Sequence, residues 1–496
     1  MQWLDNNMKQ TGILLPIFSL YNKYGIGTLG KQAYKFIDFL KQSKQELWQI
    51  LPTNPTSFGD SPYQSFSSFA NNPYFIDLEL LVEDKLLSKA SLKRSGLKND
   101  SNYIDYGTIF NKKMPLLKKI YKRHKLFNKE FKEYKKLNKY WLLDYALFMV
   151  LKEKHNYSIW ATWEDKYKYR SKKALKEFYN ENKKEVETYM FIQFIYHYQW
   201  SKLKDYAKQN DVKIIGDMPI YVAFDSVDVW ANPTLFMLNQ DYYPTLVAGV
   251  PPDYFSSTGQ LWGNPLYRYD KMKLDNYKWW NKRIANALSM FDYVRIDHFR
   301  GFSAFYAIDY NETTALNGKW IKGPGMDLFK VINRKNNNPN IIAENLGLLD
   351  DDVNKLIKNT KYPGMKILQF EVYDKQNIDS LKQNNTNNIF YPGTHDNNTF
   401  ISWYNEEASK KERSIINKEL KLSKRSNITN CLIRYSYKFN MDYIIIMMQD
   451  ILGLDFTTRI NKPGTSSNNW TYMSNKNVFN KKLANKLARY KEKYVK

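Results

Sequence analysis

Residues 293–297 read Tyr-Val-Arg-Ile-Asp and residues 340–344 read Asn-Ile-Ile-Ala-Glu, so each is a short apolar run that ends in a carboxylate. Such runs, when polar or Gly/Pro residues bound them, are typical of strands buried in a parallel sheet. An acidic residue at the end of a barrel strand lies where the following loops form a pocket. The two stretches therefore predict a parallel sheet with acidic side chains along one edge.

Six further runs of the same kind bring the number of predicted strands to eight. Most of them are separated by stretches with apolar residues at helical spacing, as in 30–41 and 350–359, and this alternation favours a parallel α/β sheet. Eight strand–helix units suggest a closed barrel, although an apolar run of this length can equally belong to a buried helix. The six runs are 12–15, 47–51, 212–217, 365–370, 388–394 and 443–449.

Two connections are much longer than an ordinary loop. The first, between the second and third strands, carries aromatic and aliphatic residues at helical spacing among Lys and Glu, and we predict a mostly helical insertion over 75–210. The second, 218–292, is rich in Pro, Gly and aromatic residues, and we predict ordered loops over one face of the barrel. Both are expected to belong to a single catalytic unit that spans 1–496.

The net charge of +25 raises nucleic acid or an anionic membrane surface as a partner. The basic residues are spread over helical stretches such as 118–136, where acidic residues are mixed in, and no Arg-rich stripe is present. A nucleic-acid interface has its basic residues clustered on one face. We therefore predict neither nucleic acid nor a membrane as a partner.

Cysteine usage and apolar run length point to a cytoplasmic location. Cys431 is the only cysteine in the sequence, which excludes an internal disulfide and fits a reducing compartment. The apolar stretch 12–20 contains Pro16 and lacks a small-residue cleavage site, so it does not resemble a signal peptide. The longest wholly apolar run, 145–151, is far shorter than the ~20 residues that a membrane span requires.

Three carboxylates, Asp297, Glu344 and Asp396, close or closely follow predicted strands. An acid at this position can simply cap the next helix, but three at three strand ends favour a shared site. Retaining glycoside cleavage uses one carboxylate as nucleophile and a second as acid and then base, ~5–5.5 Å apart. Arg295 shares a strand face with Asp297 and is expected to keep it ionised, unless it forms a plain structural ion pair. Glu344 lies among apolar residues, which suits a protonated acid.

Six stretches, in the order in which they occur, strongly resemble the amylomaltase family of 4-α-glucanotransferases. The resemblance covers nearly the whole chain, and six ordered motifs are far more specific than a lone Arg-x-Asp. The motifs are Asp-Ser-Pro-Tyr-Gln (60–64), Gly-Asp-Met-Pro-Ile-Tyr-Val (216–222), Val-Pro-Pro-Asp-Tyr-Phe-Ser-Ser-Thr-Gly-Gln-Leu-Trp-Gly-Asn-Pro-Leu-Tyr (250–267), Arg-Ile-Asp-His-Phe-Arg-Gly-Phe (295–302), Ile-Ile-Ala-Glu-Asn-Leu-Gly (341–347) and Gly-Thr-His-Asp-Asn-Asn-Thr (393–399).

The resemblance implies a (β/α)8 TIM barrel, with the helical insertion between strands 2 and 3 and long loops over its C-terminal face. It also implies a retaining transfer of α-1,4-glucan segments. By motif, Asp297 is the nucleophile, Glu344 the acid and then base, and Asp396 a grip on the sugar hydroxyls. The family pattern assigns further contacts to the same glucose, with Tyr63 as an aromatic platform: Tyr63, Asp217, Arg295 and His395.

The stretch 250–267 resembles the family's flexible loop over the acceptor side. A transferase must exclude water from its intermediate and favour a sugar acceptor by binding. The aromatic residues of this stretch are expected to stack on sugar faces, although aromatic loop residues often simply pack against one another. The predicted acceptor-side residues are Tyr254, Phe255 and Trp262, with Asp253 and Gln260 as polar contacts.

The resemblance implies maltodextrins or other starch-type α-1,4-glucans and glucose as substrates. No cofactor or metal is expected, and the chain is expected to be a monomer or a weak homodimer. An α-glucan hydrolase of the same superfamily is the alternative enzyme, and a starch-binding protein is the non-enzymatic alternative. Three residues depart from the family pattern and put the tuning of the site and its rate in doubt: Asn345, Asn398 and Asn468.

Overall fold

The computed structural model describes residues 9–57, 59–99, 101–252, 256–347, 349–383 and 387–495. Within these residues the chain forms twelve strands in two sheets. The strands are β1 (Gln10–Leu14), β2 (Leu47–Gln49), β3 (Lys213–Met218), β4 (Leu246–Val250), β5 (Gln260–Pro265), β6 (Tyr293–Ile296), β7 (Ala304–Asp309), β8 (Lys319–Lys322), β9 (Ile341–Ala343), β10 (Gly364–Ile367), β11 (Asn388–Tyr391) and β12 (Tyr443–Met447).

The larger sheet is an eight-stranded parallel barrel in the order β10-β11-β12-β1-β2-β3-β6-β9. Each of the eight strands overlaps one of the eight apolar runs of the sequence, so the predicted (β/α)8 barrel is confirmed. Alternate residues of all eight strands, such as Leu14, Ile215 and Ile445, form one buried cluster inside the barrel. Their neighbours along each strand, such as Ile13 and Ile214, pack outward against the helices.

The barrel is nearly closed at the seam between β9 and β10. No ladder joins these two strands among the described residues, but two hydrogen bonds cross between them. The backbone N–H of Ala343 donates to the carbonyl oxygen of Pro363 at 2.8 Å. The N–H of Met365 donates to the side-chain oxygen of Asn345 at 2.7 Å. The Asn345 side chain therefore takes the place of a ladder bond.

In the described part of the chain, most of the α-helices lie outside the barrel, and nine of them, α2 to α10, lie between β2 and β3. The helices are α1 (Lys31–Gln42), α2 (Leu78–Glu83), α3 (Lys89–Arg94), α4 (Tyr106–Thr108), α5 (Met114–Ile120), α6 (Asn128–Leu137), α7 (Leu142–Lys154), α8 (Asp165–Lys168), α9 (Lys172–Glu181), α10 (Lys183–Gln209), α11 (Val227–Ala231), α12 (Tyr269–Leu274), α13 (Lys278–Met290), α14 (Met326–Lys335), α15 (Asp351–Thr360), α16 (Leu368–Glu371), α17 (Lys375–Lys382), α18 (Phe400–Ser402), α19 (Lys410–Glu419), α20 (Ile428–Ser436), α21 (Met448–Leu452) and α22 (Lys481–Tyr494).

The long helix α10 is fixed to the segment that follows β2 by two buried amides. Gln193 exchanges two hydrogen bonds with the backbone of Asn71, at 2.7 and 2.8 Å. Gln199 does the same with the backbone of Asp77, at 3.1 and 2.7 Å. Paired amide contacts of this kind satisfy backbone groups that would otherwise be buried without a partner. These hydrogen bonds hold α10 against the segment that follows β2.

The connection 218–292 contains more regular structure than the sequence indicates. Besides loops it contains α11, α12, the thirteen-residue helix α13, and the strands β4 and β5. These two strands join β7 and β8 in an antiparallel sheet with the order β5-β4-β7-β8. Helix α13 is hidden in the sequence because Arg283 is buried in it, with its guanidinium over the rings of Trp279 and Trp280. Among the described residues, no helix is long and apolar enough to cross a lipid bilayer.

Candidate active site

Four carboxylates gather at the carboxyl end of the barrel. Asp217 lies near the end of β3, Asp297 follows β6, Glu344 follows β9, and Asp396 lies five residues beyond β11. Asp217, Glu344 and Asp396 are each close enough to act electrostatically on Asp297. The three carboxylates singled out in the sequence therefore lie around one centre, together with a fourth.

Arg295 joins two of these acids. Its Nη1 lies 2.7 Å from both carboxylate oxygens of Asp217, and its Nη2 lies 3.1 Å from Oδ1 of Asp297. The Nε–H donates to the thioether sulfur of Met365 at 3.4 Å. Arg295 is 3% exposed, whereas the side chain of Asp297 is 27% exposed and so remains open to a ligand. Arg295 thus forms a buried ion pair with Asp217 and also contacts Asp297.

Backbone donors fix Glu344 in place. The N–H of His298 donates to its Oε2 and the N–H of Leu346 donates to its Oε1, the latter at 3.2 Å. His298 has a left-handed backbone conformation, with φ of 49°. This conformation is uncommon for a residue other than glycine. The turn after Asp297 therefore places the backbone N–H of His298 against the carboxylate of Glu344.

The charges of the site favour uptake of a proton. Burial raises the pKa of both Asp297 and Glu344, and the Arg295 guanidinium opposes the rise at both. The neighbouring carboxylates raise the pKa of Asp297 further. The site therefore retains a proton at a pH at which isolated carboxyl groups have lost theirs. This is the condition for acid catalysis by one of two neighbouring acids.

Tyr63 and His395 form a stacked pair beside Asp217. The hydroxyl of Tyr63 donates to Oδ2 of Asp217 at 2.6 Å and lies 2.7 Å from Nε2 of His395. The two rings are almost parallel, at 9° with centroids 5.5 Å apart, and Trp470 lies 5.7 Å from Tyr63. Burial lowers the pKa of His395, which favours the neutral ring. These rings make a rigid aromatic wall beside the carboxylates.

Asp396 is held by residues that the sequence did not single out. Its Oδ1 accepts a hydrogen bond from the amide of Asn461 at 2.7 Å. Arg459 donates to the carbonyl oxygen of Asp396 at 2.9 Å and to that of Asn461 at 2.7 Å. Neither residue stands in one of the six motifs, and both are more than sixty positions from Asp396 in the chain. Asn461 opens the stretch 461–470, which resembles the family pattern except at Asn468, and this was the signal that could have found it, whereas no pattern points to Arg459.

Only two of the five predicted acceptor-side residues are within the described residues. Gln260 and Trp262 lie on β5, and the indole N–H of Trp262 donates to Oε1 of Gln260 at 3.1 Å. The predicted acceptor-side residues Asp253, Tyr254 and Phe255 lie outside the described residues.

His298 lies in one of the six motifs but was not predicted as a site residue. Its ring packs perpendicular to the ring of Trp262. The two rings are 4.8 Å apart at 88°. Burial lowers the pKa of His298 to about 3, so its ring is neutral, and its Nε2 is buried without a hydrogen-bond partner among the described residues. His298 therefore contacts Glu344 through its backbone and Trp262 through its ring.

The described residues contain no group of three or more His, Cys, Asp or Glu side chains arranged to hold a metal ion. The oxygens of the four carboxylates instead meet Arg295, backbone N–H groups, Tyr63 and Asn461. These partners leave the acids organised as a set for proton transfer and nucleophilic attack.

Comparisons with known proteins agree over almost the whole chain. The sequence profile of the family described as 4-alpha-glucanotransferase matches residues 15–477. A 4-alpha-glucanotransferase of Clostridium butyricum is 45% identical over 478 residues, which cover 96% of this chain and 98% of the relative. One of Aquifex aeolicus is 40% identical, with 96% and 97% covered. The solved structure of amylomaltase from Streptococcus agalactiae in complex with acarbose is similar with a TM-score of 0.94 at 36% identity, and 98% of this chain and 99% of that chain are covered.

Proposed function

This chain belongs to the 4-alpha-glucanotransferase family, as its motifs predicted, and on that premise we propose how it moves α-1,4-glucan segments from a donor maltodextrin to glucose or another maltodextrin. The observation that carries the proposal is the position of Arg295, which contacts Asp297 directly while Glu344 is held by backbone N–H groups nearby. In the proposal, Arg295 stabilises the charge on Asp297, burial raises the pKa of Glu344 so that it carries the proton, and the backbone N–H groups orient its carboxyl group.

In the first step, Glu344 donates its proton to the oxygen of the α-1,4 bond while Asp297 attacks the anomeric carbon. The bond between that carbon and oxygen breaks, the reducing-end fragment leaves as an alcohol, and a covalent glucosyl ester forms on Asp297. In the proposal, direct contact with Arg295 lowers the pKa of Asp297 against the rise that burial and the neighbouring carboxylates cause, so the proton that the two acids share lies on Glu344 while Asp297 attacks as a carboxylate. The raised pKa of Glu344 keeps its proton available at neutral pH.

In the second step, Glu344, now a carboxylate, accepts the proton of an acceptor 4-hydroxyl. The acceptor oxygen attacks the anomeric carbon, the ester to Asp297 breaks, and a new α-1,4 bond forms with retention. Asp396, fixed by Asn461, grips hydroxyls of the same glucose and strengthens that hold as the ring flattens. Tyr63, Asp217 and His395 complete this sugar site.

The outcome of the second step depends on whether a sugar or water reaches the intermediate. Trp262 and Gln260 line the acceptor side through β5 and, in the proposal, bind the acceptor ring so that water is excluded. We assign Asp253, Tyr254 and Phe255 to the same side on the sequence motif. The related proteins are named as transferases, so the hydrolase alternative is not favoured.

The proposed location, partners and oligomeric state rest on the composition of the sequence. Its single cysteine fits a reducing cytoplasm. Basic residues mixed with acidic ones give no clustered nucleic-acid face, so maltodextrins and glucose are the proposed partners. We propose a monomer or weak homodimer.

Two substrates distinguish the roles of the two acids. Maltotriose requires protonation of its leaving group, whereas α-maltosyl fluoride releases fluoride without it. Asp297→Asn should lower the rate at least about a thousandfold with both substrates, since the nucleophile is lost. Glu344→Gln should lose activity with maltotriose but release about one equivalent of fluoride per site in a burst.

The controls for this experiment are Asp241→Asn and Glu133→Gln, which alter exposed acids in the same way. Wild type and both controls should convert maltotriose to a ladder of longer maltodextrins plus glucose. Near-normal rates in Asp297→Asn, or a product mixture of glucose and maltose alone from the wild type, would refute the proposal.

A further inference from the structure

Asp450 is a further acid at the carboxyl end of the barrel, and it is almost fully buried. It lies on α21, which directly follows β12, and is 2% exposed. Its Oδ1 accepts a hydrogen bond from the backbone N–H of Phe400 at 2.7 Å. Its Oδ2 is buried without a hydrogen-bond partner among the described residues. A carboxylate with a single donor is costly to bury, so this geometry favours the neutral acid.

No charged side chain of the described residues acts on the ionisation of Asp450. Burial raises its pKa to about 7, and only the N–H of Phe400 opposes the rise. Glu406, on the segment after α18, is exposed. The other charged side chains on the elements that adjoin α21 bind other partners: Glu407, Arg434, Asp455 and Arg459.

Two neighbouring side chains of α21 hold the segments on either side of Asp396. Asp450 binds the N–H of Phe400, which begins α18 and follows Asp396 by four residues. The amide of Gln449 donates to the carbonyl oxygen of Thr458 at 3.3 Å. Thr458 directly precedes the segment whose arginine and asparagine donate to Asp396. The start of α21 therefore fixes both segments that position the Asp396 carboxylate.

We propose that Asp450 is a positioning residue for Asp396, and that it holds the loop at Phe400 as a neutral carboxylic acid. This inference rests on the proposed role of Asp396 as a grip on the sugar ring. The neutral form supplies an O–H donor, and Oγ1 of Thr399, next to Phe400, is a buried acceptor without a partner among the described residues. A contact that strengthens in the transition state affects kcat more than KM when its geometry is disturbed.

The kinetic test compares Asp450→Ala with Asp450→Asn. Alanine removes the acceptor of the Phe400 N–H, so kcat should fall about tenfold while KM changes less than about twofold. The loss should be the same with maltotriose and α-maltosyl fluoride, because Asp396 acts on the sugar ring and not on the leaving group. Asparagine is neutral and keeps an acceptor oxygen, so it should restore kcat to within about twofold of wild type. Asp442→Ala, at an exposed acid before β12, is the control and should leave kcat unchanged.

A double-mutant cycle shows whether Asp450 acts through Asp396. Asp450→Ala should lower the rate of fluoride release about tenfold in the wild-type background but less than about twofold in Asp396→Ala, because the group that it positions is then absent. Equal losses in the two backgrounds, or an asparagine variant as impaired as the alanine variant, would overturn the positioning role. Asp450→Ser, which shortens the acceptor, replaces the alanine variant in both comparisons if that variant does not fold.

Thermal unfolding tests the neutral acid independently of catalysis. The pKa of Asp450 in the folded protein, about 7, lies above its ordinary value of 3.8, so the wild type loses stability as the pH rises between these values. The melting temperature of Asp450→Asn minus that of the wild type should therefore increase by about 2–3 °C between pH 5 and pH 8. A constant difference would show that Asp450 is already ionised. Failure of the transferase proposal looks different, since it removes the longer maltodextrins from wild-type reactions and leaves this melting series unchanged.

Discussion

Arg295 sets the charge balance of the active site. It is buried in the barrel, pairs with Asp217 through Nη1 and contacts Asp297 through Nη2. Its position two residues before Asp297 places both side chains on the inner face of β6, as strand geometry requires. The guanidinium thus opposes the rise in pKa that burial causes at Asp297 and Glu344. A substitution of Arg295 is therefore expected to change the pH dependence of the reaction.

We expect Arg295→Gln to move the acid limb of the pH–rate profile to higher pH. Arg295 lowers the pKa of Asp297, so its removal raises that pKa, and a higher pH is needed to ionise the nucleophile. An opposite charge at this distance typically contributes about one to three pH units. The measurement is kcat/KM against pH, with Arg268→Gln at an exposed ion pair as the control. An acid limb at the wild-type position would contradict this role of Arg295.

At this scale the sequence predicted that the acids lie together and missed residues that support them. Asp297 and Glu344 directly follow strands and Asp396 lies five residues beyond one, so their position follows from the strand pattern. Asn461 and Arg459 act on Asp396 from a distant part of the chain. His298 acts on Glu344 through its backbone N–H, and a backbone contact leaves no mark on the choice of residue type.

In the proposal, strand β5 determines whether a sugar or water reaches the intermediate. Trp262→Ala should raise the ratio of hydrolysis to transfer about three- to tenfold, because it opens the contact with His298 and admits water. Product analysis with maltotriose, by chain length and free reducing ends, gives the ratio. Leu261→Ala, on the opposite face of the same strand and already 37% exposed, is the matched control. The same ratio in Trp262→Ala and wild type would discard the acceptor-side role of β5.

The side chain of Asn345 accepts one of the two hydrogen bonds that cross the seam between β9 and β10. Asn345→Ala leaves the N–H of Met365 without its partner and should cost about 1–3 kcal/mol of unfolding free energy. Asn345→Asp retains the acceptor oxygen and should stay close to wild type, so the family's usual residue also suits the seam. Denaturant unfolding followed by circular dichroism measures both. If the aspartate variant loses as much stability as the alanine variant, the hydrogen bond is not the cause.

The elements that the sequence predicted are those with a short, mostly apolar run between polar or Gly/Pro residues. All eight barrel strands have one, because parallel strands are buried on both faces. Helix α13 was missed because Arg283 lies inside its buried face, between Trp279 and Trp280. Strands β4 and β5 were missed because glycine, asparagine and proline interrupt their short runs, and their pairing, which is irregular between Val247 and Gly249, is set by tertiary contacts.

For the molecule as a whole, the arrangement of the acids predicts that a metal chelator leaves the catalytic rate unchanged. Each of the four carboxylates has a partner in the protein, among them Arg295, Asn461 and the N–H groups of His298 and Leu346. Incubation with excess EDTA should leave the rate with maltotriose within about 10% of its starting value, and the melting temperature unchanged. Loss of activity that added Ca²⁺ restores would contradict this expectation.

The pairing of β1 with β12 has a consequence for a chain that is still being made. β1 hydrogen-bonds to both β2 and β12, so one of its edges has no partner until the last barrel strand leaves the ribosome, more than 400 residues later. At roughly 5–20 residues per second, that wait lasts tens of seconds. Until β12 has been made, the free edge of β1 exposes unpaired N–H and C=O groups that can pair with another chain. Chaperones that shield such edges should therefore raise the yield of native protein.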